Sequence, residues 1–271
     1  MPLDVSSTLR ALVVETDFPS KRLEPWGAIP ILPSVLNILI TGANRGIGLA
    51  LARAFAGCGQ RVFAGHRSVT PGPALVSLAG GSGGQVLPIR LDVTEDAGVA
   101  AAVEGVRASS GGLDVLVNNA GVLLEGVEAS FSDLEASLLE RTLAVNVTGV
   151  ARVTRAFLPL LLESRQLPRL VNISSGAGSL GSKVDSRYFF YGASKAALNH
   201  LTIGLAHELG AKGVLVAAIS PGWVRTDMGG AGADLSAEES AEAMVRTIEQ
   251  LSEGQHGCFL DRFGGVGAYR W

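Results

Sequence analysis

The chain has 271 residues, 47% of them apolar and 17% charged, and its 22 basic and 25 acidic residues leave a net charge of −3 at pH 7. That balance excludes a bulk electrostatic binder of nucleic acid or of an anionic membrane, and the length suits one enzyme-sized domain or two small ones. Cys58 and Cys258 lack CxxC spacing and the four histidines are scattered, which argues against a disulfide framework or a zinc site.

Residues 1–34 read as an N-terminal extension of unknown role. They mix Asp4, Glu15, Asp17 and Glu24 with Arg10, Lys21 and Arg22, without the basic start of a signal peptide or the acid-poor character of a transit peptide. The uncharged stretch from Pro25 to Asn44 has the length of a membrane span, but Pro30 and Pro33 break it and Asn37 interrupts it. A soluble, cytoplasmic protein without a membrane segment is expected.

From Val35 onward, short apolar β-type runs alternate with longer Ala/Leu-rich stretches of helical period. Strands are expected at Leu36–Ile40, Arg61–Ala64, Val86–Leu91, Val115–Asn118, Arg169–Ile173, Val214–Ile219 and Gly257–Leu260. Helices are expected near Ile47–Ala56, Glu95–Ala108, Leu134–Leu162, Tyr191–Leu209 and Glu238–Gln250. This alternation predicts a single α/β domain over residues 35–271, a Rossmann-type doubly wound parallel sheet of about seven strands. Gly80–Gly84 reads as a surface turn, and the Gly-rich stretch Arg225–Ser240 as a loop placed to act as a lid.

The first strand runs into Thr41-Gly42-Ala43-Asn44-Arg45-Gly46-Ile47-Gly48 and then a helix. Glycines at such a turn let the backbone approach a pyrophosphate, and the helix start offers free N–H groups. An ordinary tight turn is the plainer alternative. NAD-selective sites usually carry an acidic residue at the end of the second strand, yet no Asp or Glu occurs from Pro25 to Leu91, while Arg45 and Arg67 fall where a 2′-phosphate could be clamped. NADP(H) is the expected cofactor.

Of three tyrosines, Tyr191 has a lysine four residues on, Lys195, one turn away on the same helix face. A nearby ammonium favours phenolate and lowers the tyrosine pKa toward neutrality, as general acid work on a carbonyl oxygen requires. Ser174-Ser175 ends the fifth strand, placing a hydroxyl at the sheet's carboxyl edge, and Asn146 lies inside a long helix where a purely structural amide is the plainer reading.

In these residues the chain resembles the short-chain dehydrogenase/reductases, over residues 36 to 271. The motifs come in family order: Thr41 to Gly48, Leu91-Asp92-Val93, Asn118-Asn119-Ala120-Gly121, the tetrad Asn146, Ser175, Tyr191 and Lys195, and Ser220-Pro221-Gly222-Trp223-Val224-Arg225-Thr226. The last stretch, continued to Gly230, looks like that of the sniffer and C-factor type carbonyl reductases. The resemblance implies an NADPH-dependent carbonyl reduction. Ser175 would position the carbonyl, Tyr191 donate the proton, Lys195 hold the ribose hydroxyls and depress the tyrosine pKa, and Asn146 fix a water. It also implies cofactor contacts from Gly42, Asn44, Arg45, Gly46, Ile47, Gly48, His66, Arg67, Asp92, Val93, Asn119, Ala120, Gly121, Tyr191, Lys195, Pro221, Gly222, Val224 and Thr226. No metal is implied, and the partners are a small hydrophobic carbonyl or alcohol and further copies of the chain, in a homodimer or homotetramer.

The chain departs from the family in a few extra residues between Ser175 and Tyr191, among them Lys183, Asp185 and Arg187, which would reshape the pocket rim. Trp223 and Met228 are candidate apolar walls. The rival reading is a non-catalytic NADP(H)-binding sensor or scaffold on the same fold. A serine hydrolase is disfavoured because the sole Gly-x-Ser-x-Gly, at Gly80–Gly84, precedes a strand instead of following one.

Overall fold

The computed structural model describes residues 35–271. The extension at 1–34, and the part of the Pro25–Asn44 stretch that falls within it, lie outside the described residues.

The seven strands of the described chain are β1 (Asn37–Ile40), β2 (Arg61–His66), β3 (Val86–Arg90), β4 (Val115–Asn118), β5 (Arg169–Ile173), β6 (Leu215–Ile219) and β7 (Phe259–Leu260). They form one all-parallel sheet in the order β3-β2-β1-β4-β5-β6-β7. The inner strands are apolar at nearly every position because both faces are covered. Successive side chains point to opposite faces. Ile38, Ile40, Val115, Val117, Val171 and Ile173 join a core with α1 (Gly46–Gly57) and α7 (Ala237–Glu249). Leu39, Leu116, Leu170 and Val216 join the opposite core with α3 (Asp96–Ser110), α5 (Val150–Leu162) and α6 (Phe189–Gly210).

Two elements differ from the sequence reading. A further helix, α2 (Pro73–Gly81), precedes β3; it buries Leu75 alone, so it carries little apolar period. Pro73 at its first position was the available signal. The turn expected at Gly80–Gly84 therefore starts inside a helix end, and Gly83 and Gly84 take positive φ values of 61° and 86°. The helix expected at Leu134–Leu162 is divided: α4 (Ala136–Leu143) passes into a wider π-helical turn, Ala144–Gly149, before α5. Together they form the one described helical run long and apolar enough to cross a membrane. Val153, Phe157, Leu160 and Leu161 on this run are fully buried in the domain core.

The expected lid is shorter than its sequence span. Ser236 and Glu239 close a capping box that starts α7 at Ala237, and Arg225 reaches across the loop to the carbonyls of Ala233 and Asp234 at 2.9 Å each.

Candidate active site

The carboxyl ends of the strands frame a cleft of about 750 Å³, where strand order reverses between β1 and β4, the usual ligand crevice of such sheets. The turn between β1 and α1 forms one wall. Gly42 has φ +67°, and a Cβ there would lie 2.9 Å from the Cα of Ala120. A Cβ on Gly48 would stand 2.4 Å from the carbonyl oxygen of Gly42, so this residue must be glycine for the helix to begin against the turn. Thr41, which the sequence did not single out as a site residue, locks the turn to the next loop: its hydroxyl accepts from the backbone amides of Asn119 (3.0 Å) and Ala120 (2.9 Å). The Asn119 side chain donates back to the Thr41 carbonyl at 2.9 Å.

All the cofactor contacts expected from the sequence line this cleft except Gly222 and Val224. Gly222 serves a turn, with φ +84° and a Cβ position only 2.8 Å from Leu235. Val224 is buried in a bridge with Leu235. Met228 lines the cleft but Trp223 does not; its indole donates to the Gly229 carbonyl at 2.9 Å. Leu91, Arg225 and Asp227, which lie in the motifs and the lid read from the sequence, also face the cleft, as do Thr94, Val122 and Val145, which were not anticipated.

The two arginines expected to clamp a 2′-phosphate differ. Arg67 is exposed and makes no hydrogen bond or ion pair among the described residues. Arg45 pairs with Asp227 at 2.5 Å, joining the phosphate turn to the lid across open solvent. His66 is buried, its Nδ1 3.0 Å from the Ser68 carbonyl oxygen. Asp92 folds its carboxylate onto the amide and hydroxyl of Thr94.

At the other end α6 presents Tyr191 and Lys195. The Lys195 Nζ is buried, donates to the Ile173 carbonyl at 2.8 Å and stands 5.7 Å from the centre of the Tyr191 ring. Burial pulls its pKa down to about 8. Tyr191 is partly exposed as a residue, but its phenol is desolvated, which pushes its pKa up to about 12; a hydrogen bond with Ser175 acts in the opposite direction and Tyr188 adds to the rise. The expected lowering of the tyrosine pKa by Lys195 is therefore not found here. The ammonium lies over the ring and is aimed at a carbonyl, and desolvation dominates.

Ser175 accepts from the Ala177 amide at 3.2 Å. Ser174 lines the cleft, with its hydroxyl buried against Asn199 Oδ1 at 2.6 Å, whereas Ser175 is not among the lining residues. Asn146 sits in the π-helical turn, fully buried, and does not line the cleft. Its Oδ1 accepts from the Val122 amide (2.8 Å), while its Nδ2 donates to the Val122 carbonyl and the Ser194 hydroxyl (2.9 Å each). Among the described residues no group of three or more His, Cys, Asp or Glu side chains could hold a metal ion.

Comparison with known proteins agrees with this geometry. The short chain dehydrogenase family model matches residues 36–237. The "Short-chain dehydrogenase anuI" of Penicillium roqueforti (strain FM164) is 36% identical over 230 residues, which cover 79% of this chain and 89% of that protein. Among solved structures, the carbonyl reductase Sniffer of D. melanogaster superposes with a TM-score of 0.82 at 30% identity, covering 88% of this chain and 100% of its own. An NADPH-bound carbonyl reductase from chicken fatty liver gives 0.80 at 31% identity, covering 88% and 99%. The chain belongs to the short-chain dehydrogenase/reductase family of oxidoreductases.

Proposed function

We propose that the protein reduces a small hydrophobic ketone or aldehyde to its alcohol with NADPH, through Ser175, Tyr191, Lys195 and Asn146. The observation that carries this reading is the Tyr191 phenol, which lines the cleft and hydrogen-bonds with the Ser175 hydroxyl beside it, in a cleft that also offers the guanidinium of Arg67, unpaired among the described residues. The residues suit a dinucleotide: the turn at Gly42 and Gly48 leaves room for a pyrophosphate against backbone amides, and Arg67 suits a 2′-phosphate. The NADPH-bound chicken reductase supports the same choice.

When bound, the nicotinamide supplies the hydride. Ser175 holds the substrate oxygen within reach of Tyr191, and Tyr191, whose raised pKa keeps its proton on, delivers that proton as general acid. Lys195, seated on the Ile173 carbonyl, would hold the ribose hydroxyls of the bound cofactor. Asn146 holds Val122 and Ser194 in place behind the lysine. Met228 and Val145 give the cleft apolar wall, and exposed Leu180 and Val184 extend that character over the segment between Ser175 and Tyr191. Self-association into a homodimer or homotetramer belongs to the same proposal.

The test is oxidation of NADPH and of NADH by purified protein with a panel of apolar aldehydes and ketones, beside Tyr191→Phe. Turnover that prefers NADPH and is lost in the variant is expected. NADPH binding with no turnover of any carbonyl would favour a non-catalytic sensor instead.

A further inference from the structure

The loop after β4 carries a carboxylate whose partners are 65 residues further along the chain. Glu125 is buried to 7% exposure. Its Oε1 accepts from the backbone amides of Phe190 (3.0 Å) and Tyr191 (2.7 Å), and its Oε2 accepts from Phe190 as well (3.0 Å). These are the second and third amides of α6, which a side chain at the N-cap would ordinarily satisfy. Here the N-cap is Tyr188, which makes no side-chain cap and, with φ 59°, is the one non-glycine residue of positive φ among those described. A residue in that region persists when its surroundings fix it. Glu125 thus supplies from a distance what the local sequence cannot.

The same loop is pinned at its other end. Thr41 takes the amides of Asn119 and Ala120, and Asn146 clasps Val122 while donating to Ser194, whose hydroxyl donates to the Tyr191 carbonyl at 2.7 Å. One strap, residues 119–125, therefore ties the phosphate turn to the first turn of the helix that bears the phenol.

We infer that Glu125 is a positioning residue for the reduction, holding the start of α6 so that the Tyr191 hydroxyl is set against Ser175 and the cleft. This rests on the reductase reading. Glu125→Ala should speed amide hydrogen exchange over 189–195 and lower kcat by about 10- to 100-fold, the usual cost of misplacing a reacting group, with the NADPH dissociation constant held within about twofold. Glu125→Gln, which keeps one accepting oxygen, should recover most of that kcat, and it carries the test alone if the alanine variant does not fold. Unchanged exchange over 189–195 would overturn the inference, as would faster exchange with unchanged kcat, the mark of a cap that stabilises without positioning. Faster exchange beside a wild type that reduces no carbonyl would support the hold on α6 and defeat the reductase reading alone.

Discussion

Two ionisable groups of the site are displaced from their ordinary values in opposite senses, Tyr191 up to about 12 and Lys195 down to about 8, both chiefly by burial. On raising the pH, the first group of this pair to lose a proton is therefore the lysine. The dependence of kcat/KM on pH reports the free enzyme, so carbonyl reduction should decline above pH about 8 as the ammonium is lost. A limb at pH 10.0, the ordinary phenol value, would assign the titration to an unperturbed tyrosine and contradict the burial argument. At the adenosine end, Arg67→Ala should weaken NADPH binding by about tenfold or more, the scale of one charge-assisted contact, and leave NADH nearly unchanged. Fluorescence titration of both cofactors decides this; equal losses would remove the guanidinium from 2′-phosphate recognition. Arg45 already has Asp227, but both groups are more than 70% exposed, so that pair adds little to stability. That Tyr191 and Lys195 share a helix and line the cleft was legible because their four-residue spacing is a local fact of the sequence. Glu125 was not, since a lone acid in a loop shows nothing of partners far along the chain, and the Arg45–Asp227 pairing was hidden for the same reason.

Strands were the easiest elements to read: β4 and β5 fall where expected to the residue, because burial on both faces writes a continuous apolar run. Helix α2 escaped because a peripheral helix with one buried side chain has almost no period to detect. The π-helical turn escaped because one extra residue per turn leaves composition unchanged, yet it lies where Asn146 is turned toward Val122. Between elements, His256 joins α6 to β6. Val216 N–H donates to its Nδ1 at 3.1 Å, which leaves Nε2–H to donate to the Ala206 carbonyl at 3.0 Å. The Val216 bond needs the neutral ring, because a protonated Nδ1 cannot accept, whereas the Ala206 bond survives protonation and holds the pKa up; burial is the larger cause and lowers it below 6.5. The unfolded chain then takes up the proton first, so this contribution is complete above pH 6.5 and is lost as the pH falls through the depressed folded value. Tm should drop between neutral and mildly acid pH, and His256→Gln should flatten that drop. An equally steep acid limb in the variant would place the titration elsewhere.

Across the molecule, the cleft draws on residues from both halves of the sheet, from Gly42 after β1 to Met228 after β6. A ligand seated there binds the folded state and has no site on the unfolded chain, so NADPH at about 100 times its dissociation constant should add about 2.7 kcal/mol to stability. Thermal unfolding with and without NADPH measures it; an unchanged Tm would mean that the folded protein does not bind NADPH at these concentrations.

The strand order also bears on synthesis. β1 ends up in the middle of the sheet, between β2 and β4, so the first strand of the domain to be made waits for a neighbour that is translated much later. Arg45 and Asp227, which face each other across the cleft, are 182 residues apart in the chain. At translation speeds of about 5–20 residues per second, the phosphate turn waits roughly ten to forty seconds before its far wall exists. During that interval the nascent chain has apolar strands and no completed cleft to receive a dinucleotide. Cofactor can therefore hold the finished domain together but cannot guide its early assembly, which rests on the strands themselves.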